Sequence, residues 1–278
     1  MSDTHLPPSG KDPAPAVTRA LRILSLLEEA AGQPLSLSDI ARRLGVAKSS
    51  TSNICAVLEE GRMVRRVEGG YLLGVRTAEL GGAFTAGFNQ IREFFSVVES
   101  IPTLRRQTVQ VVMRDGVDAL YLARHEGRQD RVGTPLGSRL PLVYSASGIA
   151  ILSAMPDDAV DDVLASSRVA PDLRGERGVL SVRRNVREAR ERGYAIDRGV
   201  SFPGVVGVAA PLEPWRPSDP ALALGVALLE GEASDEAVES VGSAVREAVQ
   251  RLTNPFRDRV LRRKAHADAA GEGARSRT

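Results

Sequence analysis

The sequence predicts an α+β chain: an N-terminal winged helix-turn-helix, a linking helix, and a C-terminal domain with an antiparallel sheet flanked by helices. Three observations carry this. At 278 residues the chain exceeds the usual single-domain size, so one small and one medium domain are expected. Up to about Glu60 the apolar residues recur at helical spacing, and a glycine separates two compact helices. From Thr108 the period changes to that of strands, which interleave with helices and are joined partly by hairpins.

Residues 1–14 are rich in Pro, Ser, Gly and Asp and read as a flexible arm. Residues 15–76 form the first domain. Val17, Ala20, Leu21, Leu24 and Leu27 mark one helix, and Ser36 with Asp39 three residues later starts a second in the manner of a capping box. Gly45 ends it, and a third helix runs to about Glu60. MVRRVEGGYLLG then reads as two short strands joined at Glu68-Gly69-Gly70, a wing. A linking helix over 77–90 is interrupted by Gly81, Gly82 and Gly87. The second domain spans 91–254: a helix from Ile91 that Pro102 stops, then TVQVVM and ALYLAR as a hairpin around Arg114-Asp115-Gly116. Strands follow at 194–198, 205–211 and 221–229, and helices near 145–155, 157–166, 180–192 and 233–252.

Net charge is only +2, but residues 255–278 carry seven basic and three acidic side chains and form a basic tail suited to nonspecific DNA affinity or to a solvated end. One cysteine, Cys55, excludes an internal disulfide, and His5, His125 and His266 are too scattered for a Cys/His metal site. There is no apolar leader and no run long enough to cross a bilayer, which points to a cytoplasmic protein without membrane partners.

The stretch LSLSDIARRLGVAKSSTSNICAVLEE has the spacing of a helix-turn-helix. Ala41 is small where the helices cross, Gly45 tolerates positive φ, and Ile40, Leu44, Val46, Ile54 and Leu58 supply the apolar contact. Thr51 stands where an apolar residue is expected. With Thr51, Ile54, Cys55 and Leu58 facing inward, Ser49, Ser52, Asn53 and Ala56 face outward; Cys55 on the packed face is a small buried hydrophobe. Short hydroxyl and amide side chains let a helix enter the major groove, where Ser reads either base type and Asn pairs with adenine. Ser49, Ser50, Ser52 and Asn53 are the candidate base readers, and Arg19, Lys48, Arg65 and Arg66 the candidate phosphate contacts. The expected partner is double-stranded DNA with a palindromic operator.

With VTRALRILSLL, the helix-turn-helix, YLLG, GSRLPL, SASGIAIL, and RGYAID followed by PGVVGVAAPL, residues 15–252 resemble an IclR-type transcriptional regulator. The resemblance implies a GAF-like C-terminal domain that binds a small-molecule effector, in dimers or tetramers. The family usually has His-Arg at Ser52-Asn53, Lys at Ile149 and Glu at Val200. Its carboxylate-binding pockets imply contacts at Ala146, Ser147, Gly148, Asp197, Val205 and Gly207, and a serine pair where this chain has Ala227 and Leu229. Loss of two hydroxyls points to an effector more apolar than a two- or three-carbon oxoacid, such as an aromatic catabolic acid. Its polar end would sit on the 146–148 amides.

Asp157, Asp158, Asp161 and Asp162 are read as an acidic first helical turn in preference to a metal cluster. Trp215, between two prolines, reads as a loop anchor. No cofactor and no catalytic acid-base pair are apparent, so the expectation is a regulator and not an enzyme. The alternatives are a ligand-converting enzyme with an appended winged helix, or a protein-interaction adaptor.

Overall fold

The computed structural model describes residues 12–127, 132–166, 175–216 and 218–253; the basic tail and nearly all of the N-terminal arm lie outside the described residues. The chain forms two compact units that divide between Gly87 and Phe88.

In the first unit, α1 (Pro15–Glu29), α2 (Leu37–Leu44) and α3 (Lys48–Glu60) precede a hairpin of β1 (Val64–Val67) and β2 (Gly70–Leu73) and then α4 (Val75–Ala86). Their core is Ile23, Leu27, Ile40, Cys55, Val64 and Tyr71. Ser36 caps α2 by accepting the Asp39 amide and donating its hydroxyl to the Asp39 carboxylate. This differs from a full capping box, because the acidic side chain takes the cap hydroxyl rather than the cap amide. Gly45 ends α2 at φ 67°, the left-handed conformation expected of it. Leu35 exchanges two backbone bonds with Tyr71 and so adds a bridge to the wing.

Three expectations change. Val17 and Leu21 are more than half and half exposed, respectively, and α1 instead buries Ile23 and Leu27. Thr51 is wholly buried without conflict: its hydroxyl donates to the Ala47 carbonyl one turn back, which leaves its methyl for the core. Gly81 and Gly82 do not break α4, which runs unbroken to Ala86 and stops at Gly87; a glycine lowers helix propensity by only about 1 kcal/mol.

The second unit opens with α5 (Asn89–Ser100) and the short α6 (Pro102–Arg105), split at Pro102. The sheet comprises β3 (Thr108–Asp115), β4 (Asp118–Glu126), β5 (Arg139–Pro141), β6 (Ala195–Arg198), β7 (Val205–Leu212) and β8 (Leu222–Leu229). It is antiparallel throughout, in the order β5-β4-β3-β8-β7-β6. Between β5 and β6 come α7 (Ala146–Ser153), α8 (Asp157–Ala165) and α9 (Glu176–Arg192), and α10 (Asp235–Leu252) follows β8.

Strand alternation sorts side chains onto two cores. Val109, Val111, Val206, Val208, Leu224 and Val226 pack with α5, α6 and α10. Val112, Tyr121, Ala209 and Ala223 pack on the other face with α7, α8 and α9. Trp215 anchors its loop by donating Nε1 to the Leu252 carbonyl at 2.9 Å.

Candidate nucleic-acid interface and effector cavity

The outward face of α3 is built by packing on its other side. Thr51 and Cys55 are fully buried and Ile54 and Leu58 pack against the core, so Lys48, Ser49, Asn53 and Ala56 are left exposed, with Ser50 and Ser52 half-buried. Burial pushes the Cys55 thiol pKa up, with the Glu59 charge adding to it, which keeps the thiol protonated and unreactive. Ala47 caps α3 without a side-chain bond, so the first amides are not consumed by a local cap. On the wing, Arg65 and Arg66 are exposed, and the Arg66 guanidinium lies 6.0 Å from the Tyr71 ring centroid. Arg19 is half-buried on α1.

The cavity lies on the α7 face of the second unit. Ser145 caps α7 by accepting the Gly148 amide at 3.1 Å, and the Ile149 amide donates to the Ser145 carbonyl. Ala146 and Ser147 therefore present the two amides that α7 itself does not use, and both residues line a cavity of about 50 Å³. Small residues allow this approach. A Cβ at Gly225 would meet Ser147 Oγ at 2.3 Å, and one at Gly148 would meet the Leu142 carbonyl oxygen at 2.0 Å.

Asp197 lines the cavity, but its carboxylate is spent on the following turn. One oxygen accepts the Val200 amide at 2.8 Å and the other the Ser201 amide at 3.2 Å, while Ser201 Oγ donates to the Tyr144 carbonyl. On the opposite wall Gln110, buried in β3, donates Nε2 to the Thr134 carbonyl, which fixes its amide orientation.

Of the effector residues expected from sequence, Ala146, Ser147, Asp197, Val205, Gly207 and Ala227 meet around this cavity. Gly148 and Leu229 lie outside its lining. The Gly148 amide is already taken by Ser145, and Leu229 stands at the end of β8 opposite Val205. Of the two apolar replacements, Ala227 alone is in the lining. Sequence reading missed Gln110, Tyr121, Thr134, Ser145 and Ser201, which return polar groups to the lining, and Phe202, which adds an aromatic ring.

Residues 16–68 match the model of the IclR helix-turn-helix domain, and residues 87–254 that of the bacterial transcriptional regulator IclR C-terminal domain. The chain belongs to the IclR family. The repressor AllR of Klebsiella pneumoniae is 30% identical over 209 residues, 73% of this chain and 76% of the relative. AllR of Escherichia coli K12 is 26% identical over the same shares. Among solved structures, an IclR transcriptional regulator from Alicyclobacillus acidocaldarius matches with a TM-score of 0.72 at 23% identity, covering 86% of this chain and 97% of that one. An IclR homolog from Microbacterium hydrocarbonoxydans complexed with 4-hydroxybenzoate gives 0.69 at 23%, covering 87% and 99%.

This IclR-family chain is a DNA-binding transcriptional regulator, not an enzyme. Its acidic α8 start is engaged in packing: Asp157 pairs with Arg190, Asp161 with Arg183, and Asp158 accepts the Ala159 amide. His125 is 8% exposed, with Nε2 on the Arg105 carbonyl at 3.0 Å and Nδ1 3.6 Å from Glu99. Among the described residues no helix of the regulator is long and apolar enough to cross a membrane.

Proposed function

We propose that the protein binds a palindromic operator as a homodimer or homotetramer and that a small organic acid in the cavity modulates this binding. The observation that carries it is the division of α3 into a packed face and an exposed face of short polar side chains. Ser49, Ser50, Ser52 and Asn53 read base edges, and Arg19, Lys48, Arg65 and Arg66 hold phosphates. Pairing of two copies is supported by apolar side chains left exposed in the first unit: Val17 and Leu21 on α1, and Val75, Leu80 and Phe84 on α4. Two copies would address half-sites one helical turn or a multiple apart.

The acid's carboxylate accepts the Ala146 and Ser147 amides at the start of α7, and its body rests against Tyr121, Phe202 and Val205. An aromatic or largely apolar catabolic acid fits that wall, and 4-hydroxybenzoate, bound by the Microbacterium homolog, is the first to try. The cavity of about 50 Å³ holds about four waters, so such an acid enters with the Asp197-tethered turn displaced. Ligand-dependent population of one arrangement over another, relayed along residues 75–101, alters DNA affinity.

Fluorescence anisotropy with DNA from the gene's own upstream region tests the reading. Saturable, salt-sensitive binding that an aromatic acid shifts supports it. Absence of DNA binding overturns the regulator reading; response to glyoxylate or pyruvate alone overturns the choice of acid.

A further inference from the structure

The cavity at the start of α7 has two chemically different ends. A Cβ on Gly207 would stand 4.0 Å from the Ala146 amide nitrogen, so the α7 donors sit above β7. Thr108, Ala227 and Gly207 are cross-strand neighbours on β3, β8 and β7. Gln110 occupies the β3 end of that row: a Cβ on Gly133 would meet its Oε1 at 2.9 Å, Thr108 Cγ2 at 3.5 Å and Ala227 Cβ at 3.6 Å. Donors and carboxamide oxygen thus stand one to two strand spacings apart, about 5–10 Å.

The Gln110 amide cannot turn over. It is 5% exposed, and its Nε2 donates to the Thr134 carbonyl at 2.5 Å, a separation that two acceptor oxygens would not share. Thr134 is itself held from β4, where Arg124 stands directly across from Gln110. Arg124 brings Nη1 to 3.5 Å from the same carbonyl and donates Nη2 to the Val132 carbonyl at 3.2 Å. Its Nε pairs with the Glu126 carboxylate at 3.0 Å, and its side chain is outside the cavity lining. What Gln110 offers a ligand is therefore Oε1, an acceptor with no proton to give. A carboxylate placed there would set oxygen against oxygen, and a bare ring would bury the carbonyl without a partner.

We propose that Gln110 selects the effector: the acid carries a hydroxyl at the end away from its carboxyl group, and that hydroxyl donates to Gln110 Oε1. This rests on the carboxylate taking the α7 amides, as above. At Ala227, where the family resemblance implies a serine, the neighbouring side-chain oxygen is one that only accepts. This end of the cavity is thereby a seat for a hydroxyl and not for a carboxylate.

Calorimetry on the full-length protein tests the assignment with 4-hydroxybenzoate, benzoate and 4-methoxybenzoate, the last having the same oxygen without its proton. Wild type should bind 4-hydroxybenzoate at least about tenfold more tightly than either of the others. In Gln110→Met, of similar length but without the carbonyl, that preference should fall to about twofold or less, a change of ratio that lost stability alone does not produce. Equal affinity for 4-hydroxybenzoate and benzoate in wild type overturns the proposal and leaves the α7 seat standing, as does an undiminished preference in Gln110→Met. Binding of none of the three overturns both the proposal and the aromatic-acid reading beneath it. If the variant does not fold, the wild-type comparison decides alone.

Discussion

Two serine-rich helix starts, KSSTSN on α3 and SASG at α7, use the same short polar residues to opposite ends. At α3 the cap is Ala47, and Ser49 and Asn53 stand in solvent because packing engages only the other face of the helix. At α7 the cap is Ser145, and every residue from Ala146 to Leu152 is buried against the sheet and α9. A hydroxyl in solvent keeps its hydrogen bonds to water until a base edge replaces them, at little cost to the fold. A buried amide has no such reserve, so one facing a cavity favours a ligand that can accept from it. What distinguishes a surface for a large rigid partner from a seat for a small one is therefore what packs around the helix, not its composition.

The largest effect that would sharpen this contrast is steric. Gly148→Ala should destabilise the second unit by about 3 kcal/mol, since its Cβ meets backbone at the Leu142 carbonyl, whereas Ser49→Ala should stay within about 0.5 kcal/mol of wild type. Chemical denaturation measures both; equal effects would erase the difference between the two helix starts.

A smaller effect isolates the amide. Ala146 is the first residue of α7 and Ser145 before it is extended (φ −111°, ψ 154°), a backbone that accepts a following proline. Ala146→Pro should remove one N–H from the cavity, lower acid affinity about tenfold by calorimetry, and leave the thermal midpoint near wild type. Unchanged affinity would mean that the acid does not use the start of α7.

The smallest effect concerns the helix that supports α3. Ser36→Ala should cost about 1 kcal/mol through loss of the α2 cap. The Ser36 hydroxyl, and then Arg42, hold the Asp39 carboxyl below its ordinary pKa. A carboxylate favoured in the folded state adds stability above its unfolded pKa and loses it as pH falls through the folded one. Wild type should therefore weaken more than Ser36→Ala on acidification, as pH-dependent melting would show.

Periodicity made the helices and long strands legible, and fixed offsets around Gly45 made the helix-turn-helix legible. Strand β5, of three residues, and α6, of four, are too short for a period to register. Six of the cavity residues were named through the family resemblance, and strand alternation puts two of them, Gly207 and Ala227, on the α7 face. Leu229 shares that parity and stands opposite the lining residue Val205, yet is itself outside the lining, which parity does not encode. Gln110 left a signal, a lone amide within the apolar TVQVVM. Thr134 and Ser201 come from loops, whose closure on the cavity depends on long-range contacts.

The most direct test of the central claim is an anisotropy titration of upstream DNA with wild type and with Ser49→Glu combined with Asn53→Glu. Both positions are exposed, so the variant should melt like wild type yet bind the operator at least about a hundredfold more weakly. Undiminished affinity for the same site, with the fold intact, would contradict the assignment of this face to DNA.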